Sequence, residues 1–220
     1  MIRDKLELVR VDSIPFILDY PYKNRTVRKY AYAHQSDFIR LDRLLERGGI
    51  YADLDTIFVN PIPARLYQES FVLGREGDVW NETSRQFSPS LCNAFIMSKP
   101  NAPFGRLWRE LMPVHFDGSW SHHSTILPYQ LAQAHPDLLH IEPPRTFYKH
   151  PWTREGLHTL LEDCDTDNEG VVSMHLWSHL WWSRWRRDFS GFHAGRLTED
   201  YILKVDTTYN LVARRYLPPS

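Results

Sequence analysis

The chain has 220 residues, of which 42% are hydrophobic and 14% aromatic, and its formal net charge is −1. This composition supports a folded core and gives no indication of disorder or of a basic nucleic-acid surface. No apolar run reaches the roughly 18 residues that a membrane-spanning helix needs, so no transmembrane segment is predicted. The two cysteines cannot form a disulfide framework, and a reducing compartment is expected.

The first third of the chain is predicted to contain short strands and one long helix. Residues 6–18 are interpreted as one or two short strands broken at Pro15, followed by a polar, basic loop. A helix is predicted from about Tyr32 to Arg47, because apolar residues recur there at helical spacing. Gly48 suits the left-handed position that ends a helix, and a strand is predicted from Ile50 to Val59.

The rest of the chain alternates predicted strands and helices. The predicted strands are residues 71–76, 91–98, 138–141 and 171–177, and the predicted helical segments are 64–70, from about 103, 125–135 and 157–161. This alternation indicates an α/β fold with a largely parallel sheet in a single domain, residues 1–220. Residues 178–220 are expected to form a helical or irregular tail.

The Trp- and Arg-rich segment Trp181–Arg187 lies in this tail. Because aromatic stripes usually become buried, we expect it to pack its Trp face onto the sheet. A sugar-stacking platform for an acceptor and a peripheral contact with a membrane surface are the alternatives.

Two aspartates stand two positions apart in the predicted strand 50–59. In an extended backbone the carboxylates of Asp53 and Asp55 leave the same side of the sheet. Two like charges that close repel each other unless a cation lies between them, and a hard divalent cation prefers oxygen ligands. The pair therefore predicts a metal-bound anionic ligand.

The preceding helix places Asp37 and Arg40 three residues apart on one face. An ordinary helix ion pair is one interpretation, and a group that grips sugar hydroxyls beside the cation is the other. The predicted strand 91–98 carries one polar residue, Asn93, whose buried amide needs a backbone or ligand partner. His175 is either a structural residue or a further site residue.

The segment from His34 to Ile62 resembles the core motif of the DXD-containing glycosyltransferases. It is most similar to glycosyltransferase family 32 and to the capsular and α-1,4-galactosyl or mannosyl transferases, and it is also similar to the large clostridial glucosylating toxins. The matching residues are Ser36, Asp37, Arg40, Gly48, Gly49, Ile50, Tyr51, Asp53 and Asp55. The segments LCNAFIMSKPNAPF and MHLW resemble later strands of the same group.

The resemblance implies a GT-A-like, Rossmann-type fold with a mixed, mostly parallel sheet flanked by helices. It implies transfer of a hexose, with retention of configuration, from a UDP- or GDP-sugar to a saccharide or to a lipid- or protein-linked glycan. Mn²⁺ or Mg²⁺ is the implied cofactor. The implied site comprises Asp53 and Asp55 as catalytic residues, Asp37, Arg40, Tyr51, Asp53 and Asn93 at the donor, and Asp55, Asp53 and His175 at the metal.

The family's base-binding part is expected to be short here, because 35 residues precede Ser36 and no Gly-containing opening strand is recognisable. Either the chain starts late, so that the first strand is missing, or it uses a shortened base site. For a complete chain a cytoplasmic location is expected, whereas loss of an N-terminal anchor would make a eukaryotic protein Golgi-lumenal.

Two other functions remain as alternatives. One is a degenerate domain that binds a sugar or nucleotide without catalysis. The other is a phosphatase of the haloacid dehalogenase group, whose nucleophile motif is similar to Asp53–Ile57 but whose downstream acidic motif is not recognisable. His122 and His123 have no carboxylate or thiol neighbour at ligand spacing in the sequence and are predicted to lie in a loop. Asp163, Asp165 and Asp167 are predicted to lie in a solvated turn.

Overall fold

A computed structural model describes residues 7, 9–22, 28 and 30–218. In this part of the chain the α-helices are α1 (Pro15–Leu18), α2 (Ala31–Arg47), α3 (Pro103–Leu111), α4 (Leu127–Ala134), α5 (Pro144–Tyr148), α6 (Arg154–Leu161), α7 (Glu199–Lys204) and α8 (Thr208–Ala213). The strands are β1 (Gly49–Ala52), β2 (Thr56–Phe58), β3 (Phe71–Arg75), β4 (Val79–Asn81), β5 (Gln86–Ser88), β6 (Leu91–Ser98), β7 (His140–Glu142) and β8 (Ser173–His175). Short 3-10 turns lie at Ala64–Gln68, Pro136–Leu138, Ser178–Leu180, Ala194–Arg196 and Arg214–Tyr216, and a π-helical turn at His122–Ile126.

Four strands form a mixed sheet in the order β1-β6-β3-β7. Strand β6 pairs antiparallel with both β1 and β3, whereas β3 and β7 are parallel. A mixed sheet flanked by helices is confirmed, but a largely parallel one is wrong for the pairings among the described strands. The chain returns from β3 to β6 through the β4–β5 hairpin rather than through a crossover helix, so β6 runs in the opposite direction.

Helix α2 ends as predicted. Gly48 has φ 68° and donates its N–H to the Leu44 carbonyl at 2.8 Å. A Cβ at this position would lie 2.7 Å from Cδ of Pro100, so both backbone conformation and space favour glycine. The cap turns the chain directly into β1.

The predicted strand 50–59 is interrupted, which corrects the expectation that both aspartates lie on it. Strand β1 ends at Ala52 and pairs with β6, whereas β2 begins at Thr56 and pairs with β8 in a separate two-stranded sheet. Between them the chain makes a turn in which Thr56 donates its N–H to the Asp53 carbonyl at 3.0 Å. The two strands pair with different partners, and the turn that separates them carries both carboxylates.

The chain ends also differ from the expectation. The described residues before α2 contain a short helix at Pro15–Leu18 and no strand, while residues 6, 8 and 23–27 lie outside the description. In the tail, Trp181 is 1% exposed and packs in the core, but Trp182 and Trp185 are exposed. The tail is therefore not one helix with a buried Trp face.

Two hydrophobic clusters cover the two faces of the four-stranded sheet. Successive residues of β3 alternate between them: Val72 packs with Phe147 in one cluster, and Phe71 packs with Phe38 and Trp108 in the other. Helix α2 and helix α3 thus lie on one face, and α5 on the other. No helix in the described part of the chain is both long enough and apolar enough to span a membrane.

Candidate active site

A cavity of about 550 Å³ opens where β1 and β3 end. Asp53 follows the last residue of β1, and Asn93 lies near the start of the reversed strand β6 that separates β1 from β3. Ligands of α/β sheets bind in such crevices at the carboxyl ends of strands. Six of the predicted site residues line this cavity: Asp37, Arg40, Asp53, Asp55, Asn93 and His175.

Asp53, Asp55 and His175 form a group with metal-ligand chemistry. His175 is the last residue of β8 and pairs in register with Thr56, which places its ring beside the Asp53–Asp55 turn. Its Nε2 lies 3.4 Å from Oδ2 of Asp53 and 3.3 Å from Oδ1 of Asp55. One ligand atom from each of the three residues lies within 4.8 Å of the others. Two carboxylate oxygens and an imidazole nitrogen fit a divalent cation such as Mn²⁺.

The turn after β8 orients this group. Trp177 adopts a left-handed conformation at φ 51°, which brings Ser178 back towards Asp55. Oδ2 of Asp55 accepts hydrogen bonds from the Ser178 N–H at 2.8 Å and from its hydroxyl at 2.7 Å. The other oxygen, Oδ1, is the one that faces His175. Ser178 was not predicted, because no local spacing links it to an aspartate 123 positions earlier.

His175 is itself held by the same turn. Its Nδ1 accepts a hydrogen bond from the Trp177 N–H at 3.2 Å. A neutral ring held in this way carries its proton on Nε2, towards the two carboxylates. A cation bound at Nε2 requires the other tautomer, so metal binding is expected to weaken the Trp177 contact.

Arg40 joins the metal-ligand group to the helix α2. Its guanidinium makes five polar contacts, as many as it has N–H groups: Nε to Ser36 O at 3.2 Å, Nη2 to Ser36 Oγ at 3.2 Å and to Asp37 Oδ1 at 3.1 Å, and Nη1 to Asn93 O at 2.7 Å and to Asp53 Oδ1 at 3.4 Å. The side chains of Arg40 and Asp37 are only 6% and 9% exposed. The pair is therefore a buried one that borders the cavity, unlike an ordinary surface ion pair on a helix.

Tyr51 lies behind the carboxylates and does not line the cavity. Its ring lies 4.4 Å from the Arg40 guanidinium, and its hydroxyl donates to Oδ1 of Asp53 at 2.5 Å. Burial raises the pKa of Tyr51 to about 12, so the hydroxyl remains a donor. The structure thus places Tyr51 in contact with Asp53, which orients that carboxylate.

Asp37 has a second partner that the sequence did not reveal. Nε2 of His123 lies 3.0 Å from Oδ2 of Asp37, and the His123 side chain is fully buried. On the other oxygen, Asn93 donates its amide N–H at 2.8 Å. His122 likewise has a carboxylate neighbour that spacing in the sequence did not reveal, since its Nδ1 lies 3.2 Å from Oδ2 of Asp117. Both histidines lie in the π-helical turn rather than in an open loop.

The site carries more negative than positive charge. Burial by itself raises the pKa of Asp53, but His175, Arg40 and Tyr51 outweigh burial and hold that pKa below its ordinary value. The guanidinium of Arg40, despite its burial, has a raised pKa because Asp37 and Asp53 lie beside it. By formal charge, the cavity lining thus brings one guanidinium, that of Arg40, together with the three carboxylates of Asp37, Asp53 and Asp55. A divalent cation would balance the remaining two negative charges.

Comparisons with known proteins agree with this chemistry. Residues 5–72 match the profile of the family described as "Glycosyltransferase sugar-binding region containing DXD motif". The resemblance to the DXD glycosyltransferases is confirmed. The chain is thus glycosyltransferase-like, with its DXD region at the Asp53–Asp55 turn. This family usually binds a divalent metal, and the Asp53, Asp55 and His175 group is a possible site for one.

A curated relative matches over the whole chain. "Glucan organizing enzyme 1" of Cryptococcus neoformans var. grubii is 27% identical to this protein over 221 aligned residues, which cover 100% of this chain. The chain spans 56% of that relative's length. The match of the glycosyltransferase-like region with a named enzyme supports a glycosyltransferase.

Proposed function

We propose that this protein transfers a hexose from a UDP- or GDP-sugar to a hydroxyl group of a saccharide or of a lipid- or protein-linked glycan, with retention of configuration. The observation that carries the proposal is the single cavity in which the Asp53, Asp55 and His175 group adjoins the buried Asp37–Arg40 pair. A metal group alone would fit many reactions. Its combination with buried hydrogen-bonding carboxylate and amide groups favours an anionic donor that also carries a sugar.

Asp53, Asp55 and His175 would hold Mn²⁺ or Mg²⁺. Such a cation supplies Lewis-acid stabilisation of the diphosphate as it leaves the sugar. Asp55 is proposed as the principal ligand, because Ser178 fixes one of its oxygens and leaves the other facing His175. Oriented ligands of this kind gain affinity from the groups that hold them.

Asp37 and Asn93 are proposed to bind the hydroxyls of the donor sugar. Asp37 is held by His123 on one oxygen and by Asn93 on the other, so its acceptor positions are fixed before the sugar arrives. Arg40 already uses as many contacts as it has N–H groups, and we propose that it positions Asp37 and Asp53 beside the donor. Fixed groups lose little entropy when the substrate binds.

The acceptor is proposed to approach along the β4 side of the cavity. Trp80 lines the cavity there, is 50% exposed, and makes an edge contact with Phe87 at 5.5 Å between ring centroids. A large aromatic face with one wet side suits the apolar face of a sugar ring. Because the similar protein is named for glucan, gluco-oligosaccharides are the first acceptors that we propose to test.

A transfer assay tests the proposed activity. The protein is incubated with Mn²⁺, gluco-oligosaccharides and, in separate reactions, UDP-glucose, UDP-galactose or GDP-mannose, and products are detected by mass spectrometry. We expect one of the donors to extend the acceptor by one hexose, and we expect this product to be absent with Asp55→Ala. The anomeric configuration of the new linkage, determined by NMR, should match that of the donor. Metal-dependent nucleotide binding without sugar release from any donor would instead support the non-catalytic alternative.

A further inference from the structure

Glu76 is a buried carboxyl group on the cavity wall that lies outside the predicted site. It follows the last residue of β3, lines the cavity, and is 8% exposed. Between Val72 and Gly74 the register of β3 against β6 shifts, as it does at a β-bulge. The extra residues of this irregularity lie in β6, because β3 advances by two residues where β6 advances by five, and such irregularities are common beside active sites.

The end of β3 packs closely against α5 at a glycine. A Cβ on Gly74 would lie 2.7 Å from the Tyr148 ring and 2.8 Å from the Phe147 ring, so no larger residue fits without displacement of both rings. The close approach of α5 to β3 at this point fixes the end of the strand. The position of Glu76 is therefore set by the core.

Glu76 has no cationic partner among the described residues. Its Oε1 accepts a hydrogen bond from the Ser90 hydroxyl at 3.1 Å, and within the described chain no N–H or O–H group donates to Oε2. The other buried glutamate of the sheet, Glu142, is instead paired with Arg65 at 2.6 Å. An unpaired buried carboxylate is costly to keep for structure alone, and such groups are candidates for function.

The burial of Glu76 favours its neutral form, but both the neutral and the ionised form are accessible near neutral pH. Burial raises its pKa to about 7, although Ser90, Cys92 and His175 oppose that rise. The titratable groups that face it are Cys92 on β6, Tyr148 on α5 and His175 on β8. Burial raises the pKa of Cys92 and of Tyr148 well above the ordinary values, so both stay neutral.

Glu76 and Asp53 lie on opposite sides of β6. Each follows the end of a strand that neighbours β6, and two strand spacings separate these strands by roughly 10 Å. Asn93 and Cys92, from the start of β6, line the floor between them. A sugar bound at Asp37 and Asn93 would thus lie on this floor, with the metal group towards its β1 end and Glu76 with Trp80 towards its β3 end.

We propose that Glu76 is the general base that accepts the proton of the acceptor hydroxyl. This proposal rests on the proposed transferase function. The acceptor oxygen attacks the anomeric carbon on the face from which the diphosphate leaves, so the configuration is retained. As this bond forms, the bond from that carbon to the diphosphate oxygen breaks, and its electron pair leaves with the diphosphate. The acceptor O–H proton passes to the ionised Glu76 carboxylate, through Oε2, and is later released to solvent.

Glu76→Gln tests the proposal, with Glu69→Gln as the matched control. Glu69 is exposed and lies outside the cavity. General-base catalysis contributes about 10²- to 10⁴-fold, so the turnover rate with the donor that the wild type uses should fall by about that factor in Glu76→Gln. Binding of UDP or GDP with Mn²⁺ should not change. The wild-type rate should rise with pH as Glu76 ionises, and this rise should disappear in Glu76→Gln and persist in Glu69→Gln.

Two further measurements keep the test decisive. Glu76→Asp retains a carboxylate and should recover part of the rate, which also covers a Gln variant that fails to fold. An infrared difference titration of wild type against Glu76→Gln should show a carboxyl group that titrates near neutral pH.

Four outcomes overturn the inference. A wild-type rate and pH profile in Glu76→Gln would overturn it while leaving the transferase function intact, and so would a carboxyl that titrates in the ordinary range. A covalent glycosyl adduct on Glu76 would replace the base with a nucleophile. No turnover by the wild type with any of the donors would overturn both proposals.

Discussion

Nε2 of His123 lies 3.0 Å from Oδ2 of Asp37, although 86 positions separate the two residues in the sequence. The contact is buried, and the Trp108 indole N–H donates to the His123 carbonyl at 3.0 Å, which anchors the turn. Asp37 is therefore fixed from the side opposite to Asn93. The orientation of Asp37, the carboxylate that we propose to bind the sugar, depends on a π-helical turn that the DXD motif does not include.

We expect His123→Ala to weaken donor-sugar recognition without loss of metal-dependent nucleotide binding. The variant leaves one oxygen of a buried carboxylate unpaired, which costs roughly 1–3 kcal/mol of stability. His122→Ala is the control, since its half-exposed pair with Asp117 should be worth less than about 1 kcal/mol. Chemical denaturation and titration with UDP and UDP-glucose measure both effects. Equal losses in the two variants would contradict the role given to His123.

Arg40→Lys is expected to be a severe substitution. A lysine ammonium has three N–H groups at one point and cannot reproduce five contacts that spread over a planar guanidinium. Arg40→Ala leaves Asp37 and Asp53 without their cation and should lower the free energy of unfolding by roughly 3–5 kcal/mol. The stability of Arg40→Lys should lie between those of the wild type and Arg40→Ala. Arg43→Lys, on the exposed face of the same helix, is the control. If urea unfolding shows Arg40→Lys to be as stable as Arg43→Lys, the network is not integral to the fold.

Features set by local sequence were predictable. The end of α2 at Gly48 and the bounds of β6 depend on nearby residues, and both predictions are confirmed. The Asp53–Asp55 turn was not predicted, because the apolar run through it is continuous and the break arises when β1 and β2 pair with different strands. The direction of β6 depends in the same way on how the chain returns through a hairpin.

Only those residues of the candidate site that lie close together in the sequence could be predicted. Asp37, Arg40, Asp53 and Asp55 lie within 19 positions, so their spacing could be read against a known motif. His123, Ser178 and Glu76 come from three other parts of the chain, and only the fold brings them to the cavity. Tyr51 was predicted from its place in the motif, but its ring packs behind Asp53.

Trp80→Ala is expected to weaken acceptor binding selectively. If the Trp80 face stacks on the acceptor saccharide, the loss of one aromatic contact of about 1 kcal/mol should raise the acceptor KM by several-fold and leave the donor affinity unchanged. Trp185→Ala is the control, because Trp185 is 81% exposed in the tail and does not line the cavity. Steady-state kinetics with gluco-oligosaccharides measure the difference. A larger increase of the acceptor KM in Trp185→Ala than in Trp80→Ala would indicate that the acceptor binds at the tail and not at Trp80.

Glu76 should make the folded protein less stable as pH rises. Its folded pKa of about 7 lies above the ordinary value of 4.5, so ionisation favours the unfolded chain. The penalty is absent below about pH 4.5, grows through the interval and is complete above about pH 7, where it is on the order of 3 kcal/mol. Glu76→Gln should therefore match the wild type near pH 4.5 and exceed its stability at pH 8. Parallel stability curves over this interval would contradict the prediction.

Ser178→Ala tests how strongly the turn after β8 supports the metal group. The substitution removes the hydroxyl donor to Asp55 but keeps the N–H donor. Loss of a group that orients a metal ligand typically lowers metal affinity by about 10- to 100-fold. Because the N–H donor remains, the decrease in Mn²⁺ affinity should be measurable and should lie near or below the lower end of that range. Titration of Mn²⁺ by electron paramagnetic resonance measures the free ion directly. Unchanged Mn²⁺ affinity would show that Ser178 does not act through Asp55.

The central claim is that Asp53, Asp55 and His175 hold a divalent cation on which a nucleotide diphosphate binds. Isothermal titration of UDP and GDP into the protein, with and without Mn²⁺, tests it most directly, with Asp55→Ala as the test variant and the exposed Asp137→Ala as the control. We predict Mn²⁺-dependent nucleotide binding in the wild type and in Asp137→Ala, and its loss in folded Asp55→Ala. Folded wild-type protein that binds neither nucleotide with Mn²⁺, or Asp55→Ala that binds as the wild type does, would contradict the claim.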